Sequence, residues 1–148
     1  MARLEESKEK RGGNKPVNKK IEIPSDIGYI KKVSMEIIGR LESLGVEKAV
    51  QFDIRLAVEE ALRNAIEHGN RFERDIPVKI SYEIDDNAFR IEVEDQGKGF
   101  NAAKIPDPRK KENLVKEGGR GVLLIRKLMD KVEYRGKGNK VSIVKYLK

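Results

Sequence analysis

The feature that most constrains the fold is a pair of alternating apolar segments separated by three polar residues. In residues 78–84 and 88–94 nearly every second side chain is apolar, and Asp-Asp-Asn at positions 85–87 stands between the two runs. Alternation with a period of two is typical of β-strands with one buried face, and a short polar link between two such runs is typical of a hairpin. The segment therefore predicts an antiparallel hairpin within a larger sheet.

Other periodic segments predict the remaining elements. Apolar side chains at helical spacing indicate three helices, and alternating runs indicate three more strands. The predicted strands cover residues 20–23, 131–135 and 140–147, and the predicted helices cover residues 26–44, 47–68 and 122–130. Because hairpins join most of the strands, this order favours an α+β fold over a doubly wound parallel sheet. We expect one mixed, mostly antiparallel sheet with helices on one face.

The composition supports a single domain with an aliphatic core. A chain of 148 residues can bury a substantial core, and aromatic residues make up only 5%, so Leu, Ile and Val must fill it. Cysteine is absent, which excludes disulfides, thiolate metal ligands and cysteine nucleophiles and fits a reducing compartment. No stretch of about 18 apolar residues predicts a membrane span, and no apolar segment near the N-terminus predicts a secretory signal. We expect a cytoplasmic protein with no membrane partner.

The net charge of +7 is concentrated in two segments. Residues 1–20 carry seven Lys or Arg against three Glu, and residues 104–120 carry six basic against three acidic residues. The composition of residues 1–18 predicts a flexible basic tail ahead of a domain at 19–148, because this segment contains too few apolar side chains to pack. Residues 101–118 predict a long loop of the kind that often forms a lid. Because the basic excess lies in the tail and the loop, we expect no direct contact with nucleic acid.

Two polar residues on the second predicted helix are candidates for chemistry. Glu60 and Asn64 are four residues apart, so both project from one face of a helix. A glutamate can accept a proton, and the amide oxygen of an asparagine is a suitable hard ligand for magnesium. The alternative is a solvated acidic face, because Glu59 and Glu67 lie close by in the sequence.

A carboxylate followed by glycines ends the first hairpin. Asp95 directly follows the alternating run, and Gly97 and Gly99 come after it at a spacing of two. A carboxylate in this position can accept a hydrogen bond from an exocyclic amine such as N6 of adenine, and the glycines permit positive φ and close approach of a base. The alternative is an ordinary Asp-Gly turn.

A second glycine cluster precedes the third predicted helix. Gly118, Gly119 and Gly121 stand around Arg120, and their main-chain N–H groups at a helix start would bind an anion such as phosphate, to which Arg120 adds charge. The alternative is a flexible hinge. Lysines of the predicted lid, including Lys116, would steer or clamp phosphates or would simply be solvated. His68, the sole histidine, is expected to cap or pack rather than to catalyse.

These motifs, in this order and spacing, resemble those of a known superfamily. The resemblance to the N, G1 and G2 boxes of the GHKL ATPases is carried by Glu60-x-x-x-Asn64 with Ala65-Ile-x-His68-Gly69, by Asp95-x-Gly97-x-Gly99-Phe100, and by Gly119-Arg-Gly121-Val-Leu-Leu-Ile125. It extends from about Lys20 to Lys148. The superfamily includes type II topoisomerases, large chaperones, sensor histidine kinases and anti-sigma-factor kinases, and it implies a Bergerat-type two-layer α+β sandwich.

Within the superfamily, the chain is most similar to the bacterial anti-sigma-factor serine kinases. These are single small domains, and their G2 helix continues into a Met-Asp pair, matched here by Met129 and Asp130. The resemblance implies ATP and Mg²⁺ as cofactors, with a sigma factor and a STAS-type anti-anti-sigma protein as partners of a homodimer. It also implies residue roles: Glu60 as general base, Asn64 as magnesium ligand, Asp95 as adenine contact, and the glycines, Gly97, Gly99, Gly119 and Gly121, as phosphate contacts and lid hinges. Lys116 and Arg120 are expected on the phosphates from their charge alone.

The chain departs from the family pattern at several places. Glu117 and Gly118 stand where the family often has Arg and Ser, and Lys140 or Val141 stands where a Thr on the last strand often lines the adenine pocket. These departures keep open an alternative function, a non-catalytic ATP-dependent switch that binds a partner. An ATPase without a protein substrate is disfavoured, because such enzymes usually couple hydrolysis to further domains.

Overall fold

A computed structural model describes residues 16–97, 119–137 and 139–148, with the backbone alone at 119 and 120. The predicted lid, residues 101–118, and most of the predicted tail lie outside these residues. The strands are β1 Val17–Ile23, β2 Val78–Ile84, β3 Ala88–Glu94, β4 Lys131–Arg135 and β5 Lys140–Tyr146, and the α-helices are α1 Ile30–Ser43, α2 Lys48–Asn64 and α3 Gly119–Leu128. A short 3₁₀ turn, Ile27–Tyr29, leads into α1, and a π-helical turn, Ala65–Gly69, extends α2.

The five strands form one sheet in the order β1-β2-β3-β5-β4. All four pairings are antiparallel. β3 and β4 run in the same direction, but β5 lies between them. Among the described strands no two neighbours are parallel, so the sheet is antiparallel rather than the mixed sheet that the sequence predicted. The predicted α+β class is confirmed, as are the bounds of the first hairpin.

One face of the sheet packs against the helices, and the other carries charged and hydroxyl side chains. The sheet contributes fully buried side chains such as Phe89, Ile91 and Ile143, which share the core with Ile37 of α1 and Leu62 of α2. Removal of this apolar surface from water is the main force that holds the helices on the sheet. Among the described residues, no helix is both long and apolar enough to cross a membrane.

Several element boundaries differ from those predicted, each for a local reason. β1 begins at Val17 rather than at residue 20, because Lys19 occupies a buried position in the strand and interrupts the apolar alternation. α3 begins at Gly119 rather than at Val122, so the glycines form its first turn. The predicted helix 47–68 is α2 followed by the π turn, in which the Asn70 N–H donates to the Ala65 carbonyl at 2.8 Å.

Candidate functional site

The first turn of α3 packs directly against the polar face of α2. A Cβ atom added at Gly121 would lie 2.5 Å from Oε2 of Glu60 and 2.8 Å from Nδ2 of Asn64. A Cβ atom at this position would displace the ends of both side chains, so glycine preserves the arrangement of Glu60 and Asn64 against α3. The structure therefore brings together the two predicted residues of α2 and the last glycine of the second glycine cluster.

The π turn makes a second close approach, to the end of β3. A Cβ at Gly69 would lie 2.2 Å from Cγ of Asp95, and a Cβ at Gly97 would lie 2.1 Å from the carbonyl oxygen of Gly69. π turns insert an additional residue into a helix and occur often at functional sites. The segment from Asn64 to Gly69 thus separates two clusters, one at α3 and one around Asp95.

Asp95 is buried, and its carboxylate retains free acceptor capacity. Its side chain accepts a hydrogen bond from the Gly97 N–H to Oδ1 at 2.8 Å. Oδ2 receives no hydrogen bond from the residues that the structure describes, so it can accept one from a ligand. Burial raises the pKa of Asp95, the Gly97 hydrogen bond lowers it, and the neighbouring Glu94 charge raises it further.

Two asparagines that the sequence interpretation missed hold the turn that carries Asp95. Asn70, which is buried, accepts a hydrogen bond from the Gln96 N–H at 2.8 Å. Asn139, in the β4–β5 turn, donates from Nδ2 to the Asp95 carbonyl at 2.9 Å. Asn70 directly follows the His68-Gly69 pair, which is a signal that could have indicated its importance. No sequence pattern marks Asn139.

Glu60 and the adjacent Glu59 have different surroundings. Glu59 accepts hydrogen bonds from Ser34 of α1 at 2.7 Å and from Arg55 at 3.3 Å. Glu60 has Oε2 facing Gly121 of α3 and Oε1 at 3.4 Å from Nη1 of Arg63. Both side chains are only about one-fifth exposed, at 20% and 21%. The two carboxylates therefore pack against different helices, which differs from a uniformly solvated acidic face.

The remaining candidates are placed unevenly. Gly119 and Arg120 lie in the first turn of α3, where the structure describes only their backbone, and Gly99 and Lys116 lie outside the described residues. His68 is exposed within the π turn. Of the two β5 residues at the family's Thr position, Lys140 pairs with Glu92 on the open face of the sheet at 3.4 Å, whereas Val141 is buried toward the helices.

The donor set suits a metal ion that is held partly by phosphates. Among the described residues, no group of three or more His, Cys, Asp or Glu side chains could hold a metal by itself. Magnesium, however, usually binds one or two protein oxygens and completes its octahedron with water and phosphate. The Asn64 amide lies at the end of α2, beside Glu60, and faces the N-terminus of α3, whose dipole favours anions, so it fits such an arrangement.

The antiparallel sheet with helices on one face, and the meeting of N-box, G1 and G2 residues on that side, define a domain of the GHKL class. The sequence model of the family described as "Histidine kinase-like ATPase domain" matches residues 23–145, and the chain belongs to this family. The resemblance noted in the sequence is thereby confirmed.

Proteins that are named serine-protein kinases are similar to this chain in sequence, and a solved structure is similar to it in fold. The serine-protein kinase RsbW of Staphylococcus epidermidis is 29% identical over 134 residues, which cover 85% of this chain and 84% of that protein. RsbW proteins of Staphylococcus aureus strains are 30% identical over the same shares. The solved structure of the RsbU and RsbW domains of a Mycobacterium tuberculosis protein has a TM-score of 0.59 and 16% identity. That match covers 90% of this chain and 32% of the solved one, and it supports the fold alone.

Proposed function

We propose that this chain is an ATP- and Mg²⁺-dependent protein serine kinase that also acts as an anti-sigma factor. The observation that supports the proposal is the contact of Gly121 with Glu60 and Asn64, because a carboxylate suited to accept a proton and an amide suited to hold magnesium then lie against the N-terminus of α3. The relatives are named serine-protein kinases and are similar over most of their length, which supports the same activity here.

Each end of the site has a distinct role in this proposal. Asp95 accepts a hydrogen bond from the exocyclic amine of adenine, and Gly97 and Gly99 let the base approach the main chain. The N–H groups of Gly119 and Gly121, with Arg120 and Lys116, bind the phosphates. Magnesium held by Asn64 would neutralise charge on the transferring phosphoryl group.

Glu60 acts as the general base in this scheme. Its carboxylate removes the proton from a serine hydroxyl of the substrate as the oxygen attacks the γ-phosphorus, and the bond to the β-phosphate oxygen breaks to release ADP. Because Oε2 faces the first turn of α3, the proton acceptor lies on the side where the phosphates are expected.

The proposed partners are a STAS-type anti-anti-sigma protein, as the phosphorylated substrate, and a sigma factor, which a cytoplasmic homodimer holds. The family resemblance supports both, and α1 is the candidate surface for the sigma factor. The unphosphorylated antagonist would displace the sigma factor, and its phosphorylation would end that competition.

A transfer assay tests the kinase activity. The protein is incubated with γ-labelled ATP and the STAS-type protein encoded near it, and label on the STAS protein is compared among wild type, Glu60→Gln and Glu59→Gln. We expect transfer to fall by at least about 100-fold in Glu60→Gln, a typical loss for a general base, and to persist in Glu59→Gln. Glu59 is the matched control because its side chain is equally buried but faces α1.

Two outcomes would change the proposal. Transfer that persists in Glu60→Gln would remove Glu60 as the base. No transfer by the wild type, with magnesium-dependent ATP binding retained, would favour the non-catalytic switch, the function that Glu117 and Gly118 at the family's Arg and Ser positions leave open.

A further inference from the structure

We propose that Asn139 is a positioning residue for base recognition: it holds the main chain of Asp95 so that the carboxylate selects a nucleotide base with an exocyclic amine. Asn139 lies in the turn between β4 and β5, outside all three motifs. The inference rests on the proposed function, because it assumes that Asp95 receives the base of ATP.

Asn139 satisfies both main-chain polar groups of Asp95. The Asp95 N–H donates to the Asn139 carbonyl at 2.9 Å, and Nδ2 of Asn139 donates to the Asp95 carbonyl at 2.9 Å. The two residues are 44 positions apart in the sequence. One residue of a distant turn therefore fixes the peptide groups on both sides of the Asp95 Cα atom, and with them the direction of the Cα–Cβ bond.

The contact continues the sheet beyond its last regular pair. The β3–β5 ladder ends where Glu94 pairs with Lys140. At the next position the Asn139 carbonyl still accepts from Asp95, but the side-chain amide of Asn139 replaces the main-chain donor that a longer strand would supply. Asp95 thus keeps both main-chain hydrogen bonds of a strand residue, although the regular strand has ended and the chain turns toward Gly97.

Asn139 is itself held in place by its own turn. Its Oδ1 accepts a hydrogen bond from the Lys137 N–H at 3.3 Å, and Gly136 adopts a φ of +61° that closes the turn. On the opposite side, Asn70 Oδ1 accepts from the Gln96 N–H at 2.8 Å, and this N–H belongs to the same peptide group as the Asp95 carbonyl. Two amide side chains from different parts of the fold therefore hold the peptide between Asp95 and Gln96 from both sides.

The position of this carboxylate affects base selection more than phosphate binding. A buried acceptor built for an amine rejects an analogue that presents a carbonyl there, because acceptor then faces acceptor. Inosine triphosphate differs from ATP in carrying a carbonyl in place of the exocyclic amine, and both have the same ribose and triphosphate. The ratio of the two dissociation constants therefore measures how well Asp95 is placed.

Calorimetric titration of the full chain with Mg-ATP and Mg-ITP tests the inference. We expect the wild type to prefer ATP and Asn139→Ala to reduce that preference about fivefold to tenfold, as expected for loss of roughly one hydrogen bond. Asn139→Asp is expected to reduce it further, since it keeps an acceptor for Lys137 but places an oxygen against the Asp95 carbonyl. Asn87→Ala, in the hairpin turn at the other end of β3, is the matched control.

The outcomes separate positioning from a purely structural role and from the proposed function. Because Asn139 is partly exposed in a turn, both variants are expected to fold, which circular dichroism checks. A lower melting temperature with an unchanged ATP-to-ITP ratio would overturn the inference and leave the kinase proposal standing. Equal wild-type affinity for ATP and ITP would also overturn it, because Asp95 would then not select the amine. A wild type that binds neither nucleotide would overturn both.

Discussion

Asp95 illustrates how much depends on the surroundings of a single residue. The carboxylate is buried against the Cα atom of Gly69, and its raised pKa follows mainly from that burial. Removal from water disfavours the ionised form, and one hydrogen bond from Gly97 offsets only part of this effect. A donor group on a ligand would supply the missing partner, so the residue is suited to binding an amine.

The pH dependence of nucleotide binding follows from this pKa. The ionised carboxylate is the stronger acceptor for the amine, and protonation weakens it, so ATP affinity should fall as the pH is lowered through a value above the ordinary 3.8 of an aspartate. Calorimetry from about pH 4 to pH 7 checks this. In Asp95→Asn the affinity should be lower at neutral pH by about 1–3 kcal/mol and the acid dependence should disappear, apart from the titration of the nucleotide itself.

The sign for folding stability is opposite to that for binding. Because the folded-state pKa of Asp95 is raised, its contribution to the free energy of unfolding is fully present below its unfolded pKa and is lost as the pH rises through the folded pKa.

For the binding experiment, an identical acid dependence of ATP affinity in wild type and Asp95→Asn would contradict the role assigned to this carboxylate.

Among the elements, the α2–α3 contact decides whether the site can form. α2 presents Glu60 and Asn64 one turn apart, and α3 begins with glycines that let its first turn approach them. The π turn after Asn64 then shifts the chain so that Gly69 meets Asp95. One continuous helical segment thereby contacts both ends of the site.

Substitution of the glycine at this contact tests its importance. In Gly121→Ala, the new methyl group would overlap the ends of the Glu60 and Asn64 side chains, so these side chains must move from their positions or α3 must shift away from α2. We expect phosphotransfer to fall by at least about tenfold, since small misplacements of reacting groups are costly, and ATP affinity to fall with it. Both are measured by the transfer assay and by calorimetry.

Gly39→Ala is the matched control for this substitution. Gly39 lies within α1, and no atom lies within 4 Å of a Cβ added there. This variant should keep full activity and gain roughly 0.5–1 kcal/mol of stability, because alanine favours the helix over glycine. Full activity in Gly121→Ala would show that the α2–α3 contact is not needed for the reaction.

At the scale of the whole molecule, the open face of the sheet carries oppositely charged side chains that pair across neighbouring strands. Glu92, at the centre of β3, accepts a hydrogen bond from Ser142 at 2.9 Å and lies 3.4 Å from both Arg135 and Lys140. Burial raises its pKa, but the Ser142 hydrogen bond and the charges of Lys140 and Arg135 together hold it below the usual range. These contacts link three neighbouring strands through one carboxylate.

The stability of the domain should depend on this carboxylate in acid. Because the folded-state pKa of Glu92 is lowered, its contribution is present above its ordinary value of 4.5 and is lost as the pH falls through the lower folded value. Urea unfolding should show a shallower acid decline in Glu92→Gln than in wild type, with a loss below about 1 kcal/mol at neutral pH. Glu22→Gln, exposed on the edge strand β1, is the matched control for the removal of one carboxylate.

The sequence predicted the parts of the fold that depend on local order. The β2–β3 hairpin has its predicted bounds because alternation and turn chemistry act over a few residues. The shared face of Glu60 and Asn64 follows from helix geometry, and the position of Asp95 after β3 follows from the strand end. The family resemblance depended on these local motifs and their order, and the family match confirms it.

Only the tertiary structure revealed features that depend on distant partners. Three features depend on packing between elements that are far apart in sequence. They are the burial of Lys19, the antiparallel order of the five described strands, and the π turn. The contact of Asn139 with Asp95 has no sequence signal, because it joins a hairpin turn to a strand 44 residues earlier. Local sequence determined which groups carry the proposed chemistry, and long-range packing decided where they point, since side-chain direction is set by the neighbours that bury each element.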